Sequence, residues 1–110
     1  MRLPSGERAI IDNRKVIDYC LSPDHEDGQH KARLFGSVLG LTVDNFEQLQ
    51  EALRSAASTQ DAVLGKRDEY GQRYLIDFEL TGPSGTAVIR SAWIIRNDET
   101  VPRLVTCYIL

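Results

Sequence analysis

The sequence predicts an α+β fold: two or three N-terminal helices packed on a three- to four-stranded antiparallel sheet. Two observations carry this. Apolar residues recur at helical spacing up to about residue 60, and alternate with period two beyond residue 74. Turn-forming clusters at 81–85 and 96–99 then separate the alternating runs at hairpin distances. With 110 residues, 42% of them hydrophobic, residues 1–110 are expected to form one domain with one core.

The helices come first. Ala9-Ile10-Ile11 reads as a brief strand or an extended lead-in. Asp12 or Asn13 can cap a helix from about Arg14 to Leu21, whose apolar stripe is Val16, Ile17, Cys20 and Leu21 with Tyr19 at its margin. Ser22-Pro23 stops it, because proline disfavours helix in the residue before it. Residues 22–29 are a polar loop. A second helix runs from His30 to a C′ glycine, Gly40, with Leu34, Phe35, Val38 and Leu39 as its stripe. Asp44, with Glu47 three residues on, suggests the cap of a third helix. Phe46, Leu49, Ala52, Leu53 and Ala56 would supply its buried face, and Ser58-Thr59-Gln60 its end.

The strands follow. Tyr74, Ile76, Phe78 and Leu80 alternate with Leu75, Asp77 and Glu79, the pattern of a half-buried strand. Thr81-Gly82-Pro83-Ser84-Gly85 is a turn, Thr86 to Ile95 a longer strand, and Leu104 to Tyr108 a third. Ala62-Val63-Leu64 is a weaker candidate for an edge strand.

Charge narrows the function. The net charge is −3, and residues 41–70 hold the whole deficit, with three basic against six acidic groups. That balance argues against broad nonspecific nucleic-acid binding, yet leaves room for a small basic pocket. No apolar run approaches the ~18 residues of a membrane span, so no membrane association is expected. The N-terminus lacks the apolar segment of a secretory signal. Cys20 and Cys107 fit no metal-ligand spacing or disulfide framework and read as buried free thiols of a cytoplasmic protein.

One segment breaks local rules. His30-Lys31-Ala32-Arg33 puts three bases into a first helical turn, where cations oppose the macrodipole, and Lys31 falls near the apolar stripe. Such a turn suits an anion, phosphate above all. The bland alternatives are a Lys31 stem lying on the core with its amine at the sheet edge, and a solvated Arg33. His25 and His30 can exchange protons near neutral pH. They lack the spacing that would aim both rings at one ion, so no metal site is expected. Arg90, mid-strand, either faces solvent or grips a phosphate bidentately. Thr106 and Tyr108 point the same way along the last strand, and either hydroxyl could donate to an oxyanion. Trp93 reads as core. No nucleotide-binding glycine loop, nucleophile elbow or zinc finger is present, and no cofactor is implied.

Three segments together resemble a bacterial domain family of unknown function. They are Ala9-Ile10-Ile11-Asp12 through Tyr19-Cys20-Leu21-Ser22-Pro23-Asp24-His25, then Gly28-Gln29-His30-Lys31-Ala32-Arg33-Leu34-Phe35 with Leu39-Gly40, and Pro102-Arg103-Leu104-Val105-Thr106-Cys107-Tyr108. Members of that family occur as small standalone proteins and as toxin-like end domains, and look distantly similar to the barnase/colicin/RelE-like ribonuclease toxins. The family's usual ending is Thr-x-Tyr-Pro, whereas Ile109 follows Tyr108 here.

The resemblance implies a metal-independent endoribonuclease toxin of a toxin–antitoxin or effector–immunity pair. Its catalytic candidates are His25, His30, Lys31, Thr106 and Tyr108, and its RNA-binding candidates Arg33 and Arg90. The partners implied are an RNA substrate and a cognate antitoxin or immunity protein, with a homodimer left open. The alternative is a non-catalytic module that docks on a protein through the acidic helix 44–57 or a sheet edge.

Overall fold

In the computed structural model, which describes residues 1–22 and 29–110, three helical segments pack on one face of a four-stranded antiparallel sheet. The strands are β1 (Val63–Asp68), β2 (Gly71–Gly82), β3 (Gly85–Arg96) and β4 (Arg103–Ile109). They lie in the order β1-β2-β3-β4, each hydrogen-bonded to the next in sequence. The expected edge strand is therefore real, and longer than its apolar core suggests.

Pro83 and Ser84 form a two-residue turn between β2 and β3, and the pairing Gly82↔Gly85 runs unbroken to Gly71↔Arg96. That register fixes the faces. Tyr74, Ile76 and Phe78 pair with Trp93, Ser91 and Ile89, and all six are buried beneath the helices. Ser91 is satisfied within this core: its hydroxyl donates to the Ile76 carbonyl (2.8 Å) and accepts from the Trp93 indole (2.9 Å). Trp93, fully buried, is core as expected.

β4 departs from simple alternation. Trp93 pairs with Leu104, but Ala92 pairs with Thr106, so Val105 is an extra, bulged residue. Leu104 and Cys107 thus both face the core, although simple alternation would put them on opposite faces.

The first helix, Lys15–Cys20, is wound as a π-helix, and Val16 and Cys20 are fully buried. Arg14 stands at its cap position with no side-chain cap bond, and Asp12, one of the two expected caps, accepts the backbone N–H of Arg14 (2.9 Å) just ahead of it. The second helical segment begins as α1 (Gln29–Leu34) and continues as a π-helical turn, Phe35–Leu39. Gly40 ends it in the left-handed conformation (φ 71°), the C′ role expected of it. Its buried stripe is Ala32, Phe35 and Leu39; Leu34 points to solvent, 46% exposed. The apolar side chain at position 34 therefore does not help to build the core, and Ala32 takes its place.

α2 (Phe46–Thr59) buries Leu49, Leu53, Ala56 and Ala57. Its cap differs from the expected one. Thr42, not Asp44, starts the preceding 3₁₀ turn: its Oγ1 accepts from the Asp44 N–H (3.2 Å), while Asn45 Oδ1 accepts from the Thr42 N–H (2.8 Å). Asn45 also donates to the Gly40 carbonyl (3.0 Å), tying this start to the previous helix's end.

Two glycines give opposite forecasts. A Cβ on Gly82 would collide with the Leu39 carbonyl oxygen, which already accepts the Ser84 N–H and cannot move freely. Gly36, inside the helical turn, has open space around it. Gly82→Ala is expected to cost about 1–3 kcal/mol of stability, and Gly36→Ala to add about 0.5–1 kcal/mol, both read by urea unfolding.

Candidate functional site

The sheet's outer face carries the polar chemistry. Because β2, β3 and β4 are in fixed register, Asp77, Arg90 and Tyr108 lie side by side across three strands. Arg73, Ile94 and Arg103 form a second such row toward the other end of the face. The bulge at Val105 is what returns Tyr108 to this side.

Arg90 is held bidentately by Asp77, with both N···O distances 2.9 Å. These hydrogen bonds hold the Asp77 carboxyl below the usual carboxylate range, and they raise the already high pKa of Arg90. Tyr108 lies close enough to favour the guanidinium charge further. The arginine is thus neither simply solvated nor empty-handed: it is a fixed, permanently charged plane beside a phenol. Both side chains of the pair are roughly a third exposed.

Lys31 reaches this row from α1. Its Nζ stands 4.9 Å from the centroid of the Tyr108 ring, a cation–π contact, and its side chain is half-buried. The amine therefore lies at the sheet edge, as the bland alternative for its stem expects, and that edge is where Tyr108 stands. Thr106, two residues before Tyr108, is paired with Ala92, and its Oγ1 is buried with no hydrogen-bond partner among the described residues.

Behind them sit two thiols. Cys107 Sγ donates to Cys20 Sγ at 3.5 Å, joining β4 to the first helix. That hydrogen bond is the main reason the Cys20 thiol is brought down to about 7, against the opposing effect of burial; the Cys107 backbone N–H and the Lys31 charge add to the lowering. The Cys107 thiol is pushed up, since it serves as donor to Cys20 and is buried.

Of the residues expected from the sequence, Lys31, Thr106, Tyr108 and Arg90 come together at this edge. Arg33 is exposed on α1. His25 lies outside the described residues, and for His30 the description extends only to its backbone in α1. Among the described residues no group of three or more His, Cys, Asp or Glu could hold a metal ion. None of the described helices is long and apolar enough to cross a membrane.

Three features are not predicted from the sequence. Asp77 as the partner of Arg90 is readable in principle, because a two-residue turn at Pro83-Ser84 puts the two opposite each other. The adjacency of the cysteines carries no local signal beyond both lying on apolar faces. The third is a cleft of about 280 Å³ lined by Lys15, Arg73, Arg96 and Arg103, with Asp12 at its wall. Here Arg73 is paired with Asp68 (2.8 Å) and Arg103 with Glu99 (2.7 Å).

The Asp77–Arg90 pair has a pH signature. A depressed carboxyl pKa stabilises the fold above the unfolded-state value, and that contribution disappears as pH falls through the folded-state value. Asp77→Asn is therefore expected to lower stability at pH 7 by at most roughly 1 kcal/mol, given the exposure of the pair. It should converge with the wild type well below about pH 4. Thermal melts across pH 2–7 measure both.

The fold has a counterpart among solved structures. A chain in a contact-dependent growth inhibition toxin–immunity protein complex from Klebsiella pneumoniae 342 superposes with a TM-score of 0.72 at 21% identity. The match covers 92% of this chain and 99% of that one, and the likeness is one of fold. No curated protein matches the sequence. A family model does match, over residues 2–110, and the chain accordingly belongs to the family described as a domain of unknown function, DUF6883.

Proposed function

We propose that the chain is the toxin member of a toxin–immunity pair and acts as an endoribonuclease that needs no metal ion. The observation that carries this is the Lys31 amine over the Tyr108 ring, beside an Arg90 locked by Asp77. Such a row offers two fixed positive charges and a hydroxyl on an open sheet face, which suits a phosphodiester whose oxygens gain charge in the transition state. Support for the toxin role comes from the fold shared with a chain of a toxin–immunity complex, and from the family resemblance of the helical and closing segments.

In this mechanism His30 or His25 takes the proton from the ribose 2′-hydroxyl, which attacks the adjacent phosphorus. The 5′-oxygen leaves as its bond to phosphorus breaks and takes up the proton the histidine received, and a 2′,3′-cyclic phosphate remains. Lys31, Arg90 and Arg33 neutralise the phosphoryl oxygens, and the Tyr108 or Thr106 hydroxyl donates to one of them. Arg90, pinned by its carboxylate, undergoes no reordering when the substrate arrives.

A second reading is a non-catalytic docking module or the immunity partner itself. It is favoured by the exposed Glu47 and Glu51, which line a shallow hollow between α2 and the end of β2.

Incubation of the purified protein with total RNA in EDTA separates the two. Cleavage is expected, with Lys31→Ala and His30→Ala each reducing it by roughly 10²–10³-fold, the scale of losing one transition-state donor. No cleavage, or undiminished cleavage by both variants, refutes the nuclease. The docking reading instead expects Glu47→Lys or Glu51→Lys to weaken a complex that Lys31→Ala leaves intact.

A further inference from the structure

We infer that Cys20 and Cys107 are a redox-active dithiol, in which oxidation by a hydroperoxide closes a disulfide that staples the first helix to β4. The inference goes beyond the proposed activity and does not depend on it.

Geometry carries it. The two sulfurs, 87 residues apart in sequence, are already 3.5 Å from each other and share a hydrogen bond. A disulfide requires about 2.05 Å, so the gap to close is roughly 1.5 Å. Both cysteines have no exposed surface, so neither is placed to meet a second protein's thiol before it meets the other. The two thiols are also unequal. Cys107 donates to Cys20, and the Lys31 amine favours negative charge on the Cys20 sulfur. Cys20 is thus the attacking sulfur and Cys107 the resolving one.

The chemistry balances with a peroxide as oxidant. The Cys20 thiolate attacks one peroxide oxygen, the O–O bond breaks, and hydroxide leaves a sulfenic acid on Cys20. The Cys107 sulfur then attacks the Cys20 sulfur as its proton passes to that hydroxide. The S–S bond forms, the S–O bond breaks, and the sulfenic oxygen departs as hydroxide to be protonated. Two thiols and one hydrogen peroxide give one disulfide and two waters.

The bond would also change the candidate site's electrostatics, because it removes a titratable sulfur from beside Lys31.

The test treats the reduced, full-length protein with hydrogen peroxide and follows intact mass, non-reducing peptide maps and thermal melting. The expected result is loss of two hydrogens, one cross-linked peptide containing positions 20 and 107, and a melting temperature raised by at least roughly 8 °C. Dithiothreitol should reverse all three. In Cys107→Ser, oxidation should stop at a dimedone-reactive sulfenic acid on Cys20. The inference is overturned if both thiols survive peroxide doses that oxidise the guanidinium-unfolded chain. It is equally overturned if Cys20 proceeds to a sulfinic acid in the wild type with no cross-link. Both of these outcomes are measured on wild-type protein, so a poorly folding variant does not blur them.

Discussion

One extra residue in β4 governs what this molecule can present to solvent. Val105 interrupts the pairing with β3, and every side chain beyond it exchanges faces relative to an unbroken strand. Leu104 and Cys107 consequently share the core side, while Arg103, Thr106 and Tyr108 share the outer one. Without the bulge, Tyr108 would turn into the helices and Cys107 would turn out, away from Cys20. The Lys31–Tyr108 contact, the Arg90 row and the thiol pair all depend on this single irregularity. It is also the feature that gives the closing strand two roles, since one strand both seals the hydrophobic core and supplies the polar groups of the open face.

The long hairpin provides the rigid frame for those groups. Twelve consecutive residue pairs join β2 to β3, from Gly71↔Arg96 to Gly82↔Gly85, and the buried Ser91–Trp93 hydrogen bonds anchor its inner side. Side chains placed on such a frame hold their relative positions better than side chains on loops. Asp77 and Arg90 add to this on the outer side, where a directly opposed charged pair fixes the orientation of the guanidinium as well as its position.

Much of the fold is legible in the chain. The 74–80 alternation, the Gly82–Gly85 turn, the C′ glycine at 40 and the buried Leu49 and Leu53 all follow from local periodicity and turn chemistry. The departures have a common cause: they depend on tertiary partners. Thr42 displaces Asp44 as the cap because Asn45 can answer it while reaching back to Gly40. Leu34 is exposed because it stands about 100° around the helix from Phe35, while Ala32, one turn before Phe35, faces the core. The candidate site is legible in its members Lys31, Thr106, Tyr108 and Arg90, but not in its arrangement. A period-two reading of β4 gives no hint of a bulge, and no local signal pairs residue 20 with residue 107.

The two edges of the sheet are unequal. At β4, Ile10 pairs with the start of the strand through its N–H to the Pro102 carbonyl (2.8 Å) and its carbonyl to the Leu104 N–H (3.0 Å), and the first helix packs against the rest. At β1, Val63 and Leu64 are exposed beside Lys66 and Arg67, and a break in register follows Leu64. Lysine, arginine and an irregular backbone are the usual guards against unwanted strand addition. Each edge is therefore protected in its own way, β1 by charge and an irregular backbone and β4 by the Ile10 bridge at its start.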